Sequence, residues 1–255
     1  MAMEHPGEPP NSTTPLFSSN EIDMTEFGYE RKDLEKFCSE QIRIPPKLPN
    51  ILKTFTKAAM RTQPRDLVHW TGAYFRALAE GQVPPVKETL EYPQVESKDG
   101  LTVGYLRVLN NQVGGRDIKT FSKLKVKVED IRAKWIALCL PLEAFDTMLR
   151  TGKMFEKMEV DWKKLLGVLC GSIGKNLTDT MKIVCEVLTE QPEGVDAMIP
   201  YMHFWEIYAF LVKVDGSVTH QQMAAVNEFL MIRAQPNFCL IGPKDFLDPG
   251  CPPLY

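Results

Sequence analysis

The stretch from Gln41 to Gly81 constrains the fold more than any other part of the chain. Its apolar residues recur at three- and four-residue steps on both sides of Pro64, and this spacing is typical of short amphipathic helices. The residue before a proline is disfavoured in the helical region, so one helix ends at Gln63 and a second begins at Pro64. The sequence therefore predicts an αα-hairpin over residues 41–82.

A hairpin of this size cannot bury its own apolar surface. A chain of about 40 residues needs a disulfide, a metal or a partner to hold a stable core. The segment has no metal-ligand spacing, and one cysteine, Cys38, lies just upstream of it. Two interpretations stay open: the hairpin packs against the rest of its own chain, or two copies pair about a two-fold axis into a four-helix bundle.

In such a bundle the apolar residues have two roles. A ridge on the first helix, with the extended segment before it, is predicted to bind a partner's amphipathic helix through anchors about one turn apart. This groove comprises Ile42, Ile44, Leu48, Leu52, Thr56 and Met60. The other positions are predicted to form the core of the dimeric bundle, and these are Ile51, Phe55, Ala59, Leu67, Thr71, Tyr74, Phe75 and Leu78.

The residues on both sides of the break resemble a known docking domain. Gln-Ile-Arg-Ile-Pro-Pro (41–46), Gln63-Pro64 and Tyr74 to Leu78 are similar to the dimerisation/docking domain of the type II regulatory subunit of cAMP-dependent protein kinase. The resemblance implies an antiparallel dimer of hairpins that grips the amphipathic helix of an A-kinase anchoring protein. Lys53 and Lys57 depart from that pattern and make the first helix more basic.

The rest of the chain resembles a different family. It has neither an inhibitory run with paired arginines nor the pattern of a cyclic-nucleotide-binding β-barrel. Segments at 134–141, 161–170, 180–188 and 213–216 are similar instead to the ropporin family, and the resemblance runs from about Gln41 to Gly216. It implies a cytoplasmic protein of the axoneme in cilia and sperm flagella, in the radial spokes or the fibrous sheath, that binds anchoring-protein helices.

Prolines and glycines divide the chain into five parts, and the fold class predicted is all-α. The parts are a charged N-terminal extension (1–40), the hairpin (41–82), a linker with a marginal helix near 101–109 (83–127), a C-terminal multi-helix domain (128–236) and an irregular tail (237–255). Helices of the domain are predicted at 128–139, 142–150, 160–171, 176–190, 201–214 and 219–234. Their expected core residues are Trp135, Leu138, Phe145, Leu149, Trp162, Leu165, Leu169, Ile183, Val187, Phe204, Tyr208 and Leu211.

Composition argues against several classes of function. A net charge of −3 gives no electrostatic reason to expect nucleic acid as a partner. The sequence has no apolar N-terminal signal and no run of about 18 apolar residues, so we expect neither secretion nor a membrane span. The six cysteines form no Cys-x-x-Cys pair, which favours reduced thiols.

Candidate sites of other kinds fail on their spacing. Gly171 to Asn176 suggests a phosphate loop, but Leu169 replaces the first glycine and Asn176 the hydroxyl residue. Asp215-Gly216 suggests the start of a calcium-binding loop, but the residues that would bind the ion are absent. The segment is therefore predicted to be a helix-turn-helix junction or a metal-free EF-hand-like pairing. The run Lys119–Lys127 is a solvated face or a contact for an acidic partner. We therefore predict no catalytic, cofactor-binding or metal-binding residues.

The sequence as a whole favours a scaffold that is not an enzyme. A dimer of this chain with itself or with a paralogue would dock an anchoring helix, and the C-terminal domain would attach it to an axonemal complex that supports ciliary and sperm motility. The alternative is a regulator that competes with cAMP-dependent kinase regulatory subunits for anchoring helices and so tunes local phosphorylation. An enzyme would need a polar cleft with perturbed titratable groups in the C-terminal region.

Overall fold

The computed structural model describes residues 45–92, 97–115, 124–192 and 194–255. The chain divides into two compact units, residues 1–51 and 52–255. In the described part of the first unit, the N–H groups of Leu48 and Ile51 donate to the carbonyls of Pro45 and Lys47 and start the first helix. The predicted N-terminal extension, 1–40, lies outside the described residues.

Two helices form the predicted hairpin. Helix α1 spans Leu48–Thr62, and helix α2 spans Leu67–Ala79. Between them Gln63 leaves the right-handed helical region, which is disfavoured before a proline, and its φ of 47° lies in the left-handed region. The Asp66 carboxylate then caps α2 by accepting the N–H of His69 at 2.9 Å. The αα-hairpin predicted from the spacing is confirmed.

The predicted linker, 83–127, contains a buried helix. Helix α3 spans Val103–Gln112, and the side chains of Leu101, Leu106 and Leu109 have no exposed surface. The sequence marks this helix weakly, because it is only 10 residues long and ends in polar residues. One of them, Asn110, is buried because its side-chain oxygen accepts the indole N–H of Trp162 at 2.9 Å. Residues 101–112 are therefore part of the folded core.

The multi-helix C-terminal region is also confirmed. Its long helices are α4 Val128–Ala137, α5 Leu142–Thr151, α6 Trp162–Gly171, α7 Leu177–Leu188, α8 Tyr201–Asp215 and α9 His220–Ala234. Pro141 and Pro200 stand immediately before α5 and α8, and Gly216, with a φ of 73°, ends α8 in the left-handed region. A short helix, α10, follows at Pro243–Phe246.

Two small antiparallel sheets were not predicted. Strand β1 (Lys125–Lys127) pairs with β2 (Glu159–Asp161), and Val126 lies opposite Val160. Strand β3 (Ile199–Pro200) pairs with β4 (Leu240–Ile241). Strands of two or three residues are too short to show an alternating pattern in the sequence.

These sheets join the helices in groups of four. The first sheet links the segment between α3 and α4 with the segment between α5 and α6. The second sheet links the segment between α7 and α8 with the segment between α9 and α10. Helix–loop–helix units paired through short strands in their loops have the connectivity of paired EF-hands. Asp215-Gly216, where the sequence left such a pairing open, is instead the turn between α8 and α9.

An apolar core runs through α3 to α10. The predicted core residues are buried in it, apart from Ile183, which is partly buried. The segment 237–255, predicted as an irregular tail, also contributes Ile241, Phe246 and Leu254 to this core. Their burial depends on contacts with distant parts of the chain, which a local pattern does not reveal.

Candidate functional site

One side of the hairpin is closed by its own chain. Trp70 and Tyr74 on α2 are buried together with Ala58 on α1, and Val86 and Cys139 pack against this cluster. We call this side the inner face. The indole of Trp70 and the phenol ring of Tyr74 lie 5.3 Å apart between their centroids, so the face is dominated by aromatic contacts.

Hydrogen bonds hold the inner face in place. The indole Nε1–H of Trp70 donates to the Pro85 carbonyl at 2.8 Å, and the backbone N–H of Lys87 donates to the Thr62 hydroxyl at 3.2 Å. The thiol of Cys139 donates to the carbonyl of Asp66 at 3.5 Å, and burial raises the pKa of this thiol. The hairpin therefore packs against its own chain on this side, as the first of the two interpretations expected.

A partly buried ion pair, in which only the lysine is fully buried, lies next to these contacts. Nζ of Lys87 is 2.6 Å from Oε2 of Glu91 and 3.9 Å from the centre of the Tyr105 ring. The Thr102 hydroxyl and the Gly104 N–H also donate to the Glu91 carboxylate. Burial opposes ionisation of Glu91, but these donors and the lysine outweigh it, so the pKa of Glu91 lies below its ordinary value. Sequence reasoning did not single out this pair, although Lys87 and Glu91 are four residues apart, because the segment that contains them lies outside the helices and shows no periodic pattern.

A neighbouring side of the hairpin is apolar and exposed. On α2, Leu67, Phe75 and Leu78 keep 52%, 36% and 46% of their side-chain surface in solvent. On α1, Leu52 keeps 49% and Met60 keeps 68%. We call this side the outer face. Exposed apolar patches of this kind are candidates for contact with another molecule, and that role of the outer face stays a prediction.

The predicted bundle core is divided between the two faces. Leu67, Phe75 and Leu78 lie on the outer face, whereas Tyr74 lies on the inner face and is only 3% exposed. Phe55 connects the faces, because its ring centre is 5.9 Å from that of Trp70 and 5.2 Å from that of Phe75. Of the remaining predicted core positions, Ala59 and Thr71 are half-buried, and Ile51 is exposed.

The described groove residues follow one line of α1. Leu52, Thr56 and Met60 are exposed at four-residue steps, and the Thr56 hydroxyl donates to the Leu52 carbonyl at 2.8 Å. Leu48, in the first turn of α1, is half-buried. Ile42 and Ile44 lie outside the described residues. The assignment of this line to a groove stays a prediction.

A cleft in the C-terminal region contains the rejected phosphate-loop residues. It has a volume of about 910 Å³ and is lined in part by Gly174, Lys175 and Asn176. The first turn of α7, which follows them, already uses its N–H groups. Thr178 N–H donates to the Tyr255 carbonyl at 3.0 Å, and Asp179 N–H donates to the Asn176 side chain at 2.7 Å. These donors are therefore not free to bind a phosphate.

The described residues offer neither a metal site nor a membrane-spanning helix. Within those ranges, no cluster of three or more histidine, cysteine, aspartate or glutamate side chains is placed to hold a metal ion. No helix among the same residues is long and apolar enough to span a bilayer. Cys170 and Cys185 are free thiols in the core, and burial raises the pKa of both.

Comparison with models of protein families finds three matches along the chain. The ropporin N-terminal domain matches residues 31–82, the ropporin middle domain matches 104–175, and the ropporin C-terminal domain matches 176–240. The first match contains the hairpin. The boundary between the other two falls between α6 and α7, where one strand-paired group of helices ends and the next begins.

Proposed function

Because this chain belongs to the ropporin family, we propose that it is a non-catalytic scaffold of the axoneme in cilia and sperm flagella. Two copies, or one copy and a paralogue, pair through the α2 part of their outer faces, formed by Leu67, Phe75 and Leu78, into a four-helix bundle. This bundle binds the amphipathic helix of an A-kinase anchoring protein in the radial spokes or the fibrous sheath. The helical C-terminal region attaches the dimer to the axonemal complex and so supports motility.

The observation that carries this proposal is the uncovered outer face. Leu67, Phe75 and Leu78 together leave a large part of their apolar surface in water, and burying such surface is worth about 25 cal/mol per Å². An isologous interface covers the same patch on both partners, so a second hairpin is a natural cover for this stripe. The ridge formed by Leu52 and Met60 on α1 then stays available for a helix.

The inner face supports the scaffold role in a second way. Trp70 and Thr62 hold the hairpin to its own chain through hydrogen bonds, and a buried lysine lies behind that contact. A helix docked on the ridge therefore keeps a defined orientation to the C-terminal helices. A flexible tether would not transmit orientation in this way.

A titration with a labelled helix tests the proposal. The probe is the fluorescent amphipathic helix of an A-kinase anchoring protein, and the full chain is added while anisotropy is recorded. We expect Leu52→Asp to weaken binding at least about 100-fold, because an apolar groove would have to bury an unpaired carboxylate. The fold should survive, since Leu52 is half in solvent already.

Met158→Asp is the matched control for this experiment. Met158 is 88% exposed, lies outside the hairpin and undergoes the same gain of charge. The affinity of the Met158→Asp variant for the probe should equal that of the unchanged chain. The proposal is wrong if the unchanged chain does not bind the helix, or if Leu52→Asp binds it as tightly as Met158→Asp does.

A further inference from the structure

Basic side chains border the apolar ridge of α1 along one edge. Each residue of an α-helix is rotated by about 100° from the one before, so residues four apart form nearly parallel lines along the helix. The ridge of Leu52, Thr56 and Met60 is one such line. The next line consists of Lys53, Lys57 and Arg61, each one residue further along. On the other edge lie Phe55 and Ala59, which are half-buried.

No acidic side chain of the hairpin helices offsets this basic line. Neither Leu48–Thr62 nor Leu67–Ala79 contains an aspartate or a glutamate. Lys53 and Lys57 are exposed, and Nη1 of the exposed Arg61 donates to the Glu88 carbonyl at 3.2 Å. The ridge therefore has an apolar floor, a half-buried edge and an electropositive edge.

On the basis of the proposed function, we propose that the helix docked on this ridge carries aspartate or glutamate along the edge that faces Lys53 and Lys57. Its apolar residues contact the floor at one-turn spacing, and its acidic residues follow the same spacing beside them. Charges at the edge of an interface act mainly on association rate and partner choice. The ridge thus selects acidic-edged helices from all those with a suitable apolar stripe.

Two designed peptides test this selection against the full chain. Both are amphipathic helices of about five turns with one identical apolar stripe. One carries glutamates along a single edge, and the other carries lysines at the same positions. We expect the glutamate peptide to bind about tenfold more tightly at low salt, and the difference to shrink as ionic strength rises.

Charge reversal on α1 locates the effect. In Lys53→Glu/Lys57→Glu the preference should invert, so that the lysine peptide binds more tightly. Helix formation should be little changed, because lysine and glutamate have similar helix propensities. The control is Lys153→Glu/Lys157→Glu, a pair with the same spacing and the same change of net charge on an exposed loop outside the hairpin. This control should keep the original preference.

The outcomes separate the inference from the proposed function. Equal binding of both peptides by the unchanged chain overturns the charge selection and leaves docking intact. Binding of neither peptide overturns both. Inversion of the preference by the control pair also overturns the inference, because the selection would then come from net charge and not from the edge of the ridge.

Discussion

Phe145 and Phe75 are both phenylalanines on amphipathic helices of the same chain, yet their surroundings differ. Phe145 on α5 has no exposed surface, and its ring centre is 5.2 Å from that of Trp135. Phe75 on α2 keeps 36% of its surface exposed. The helices of the C-terminal region bury their apolar stripes in one another. The hairpin has apolar residues on two sides, and its own chain covers one of them.

This difference shows that an apolar stripe does not by itself identify an interface. The inner face of the hairpin belongs to the interior of the protein, because Trp70 is fully buried and its indole N–H is hydrogen-bonded. The outer face also consists of apolar residues, but the described part of the chain covers them only in part. A fragment limited to residues 41–82 would also uncover Trp70 and Tyr74, so experiments on docking need the full chain.

The largest expected effect on stability comes from replacing the buried Phe145 with alanine. Phe145→Ala should lower the free energy of unfolding by about 3–5 kcal/mol, because it leaves a cavity in a closed core. Phe75→Ala in dilute solution should cost about 1 kcal/mol, since part of that ring is already in water. Urea unfolding of both variants measures the two costs, and equal costs would contradict the distinction between the two regions.

The next effect concerns Glu91, where the inner face meets the helical region. Glu91→Gln should lower the free energy of unfolding by about 1–3 kcal/mol at neutral pH, because hydrogen bonds to a carboxylate are stronger than those to an amide. The pKa of Glu91 is lowered from 4.5. Its contribution is therefore complete above pH 4.5 and is lost as the pH falls through the lower folded value.

Unfolding free energies of the unchanged chain and of Glu91→Gln, measured from neutral pH downward, check this sign. The difference between the two proteins should be constant near neutrality and should narrow in acid below pH 4.5. A difference that grows on acidification would mean that the folded protein raises the pKa of Glu91.

A smaller effect is expected at the indole of the inner face. Trp70→Phe keeps an aromatic ring but removes the N–H that binds the Pro85 carbonyl, so we expect a loss of about 1 kcal/mol. Trp205→Phe is the control, because Trp205 is a half-buried indole on α8, away from the hairpin. Chemical unfolding of both variants compares the losses. A larger loss for Trp205→Phe would weaken the case that the inner face is a firm contact.

The smallest effect is expected on the ridge. Leu52→Ala should change the free energy of unfolding by less than about 0.5 kcal/mol, because the side chain lies half in solvent and a surface change rarely costs more. The same change should weaken binding of the anchoring helix. A large loss of stability would show that Leu52 belongs to a core within the chain.

Much of this fold follows from local patterns. Apolar residues at helical spacing, with prolines and glycines at the ends, place the end of α1 and both ends of α4 to α9 within about two residues of their observed limits. Helix α2 begins at Leu67, three residues after the predicted start at Pro64. Of the twelve core residues that the same spacing predicts, eleven are buried in the structure. The parts that local patterns predict weakly or miss depend on distant partners. Helix α3, expected only as a marginal helix in a linker, is buried by other helices, and Leu254 reaches the core from the far end of the chain.

The candidate site was predicted only in outline. Four-residue steps place Leu52, Thr56 and Met60 on one line of α1, and the structure leaves that line exposed. The spacing does not reveal which side of α2 its own chain covers, because Val86 and Cys139 reach it from outside the hairpin. Tyr74 was for that reason grouped with Phe75, although the two lie on different faces.

Sedimentation equilibrium of the full chain at micromolar concentrations tests the central claim that a second hairpin covers the α2 part of the outer face, formed by Leu67, Phe75 and Leu78. The unchanged chain and the control Met158→Asp should sediment as dimers. Leu67→Asp should sediment as a folded monomer, because a carboxylate disrupts the apolar contact yet suits the first turn of α2. A folded monomer for the unchanged chain, or a dimer for Leu67→Asp, would contradict the account.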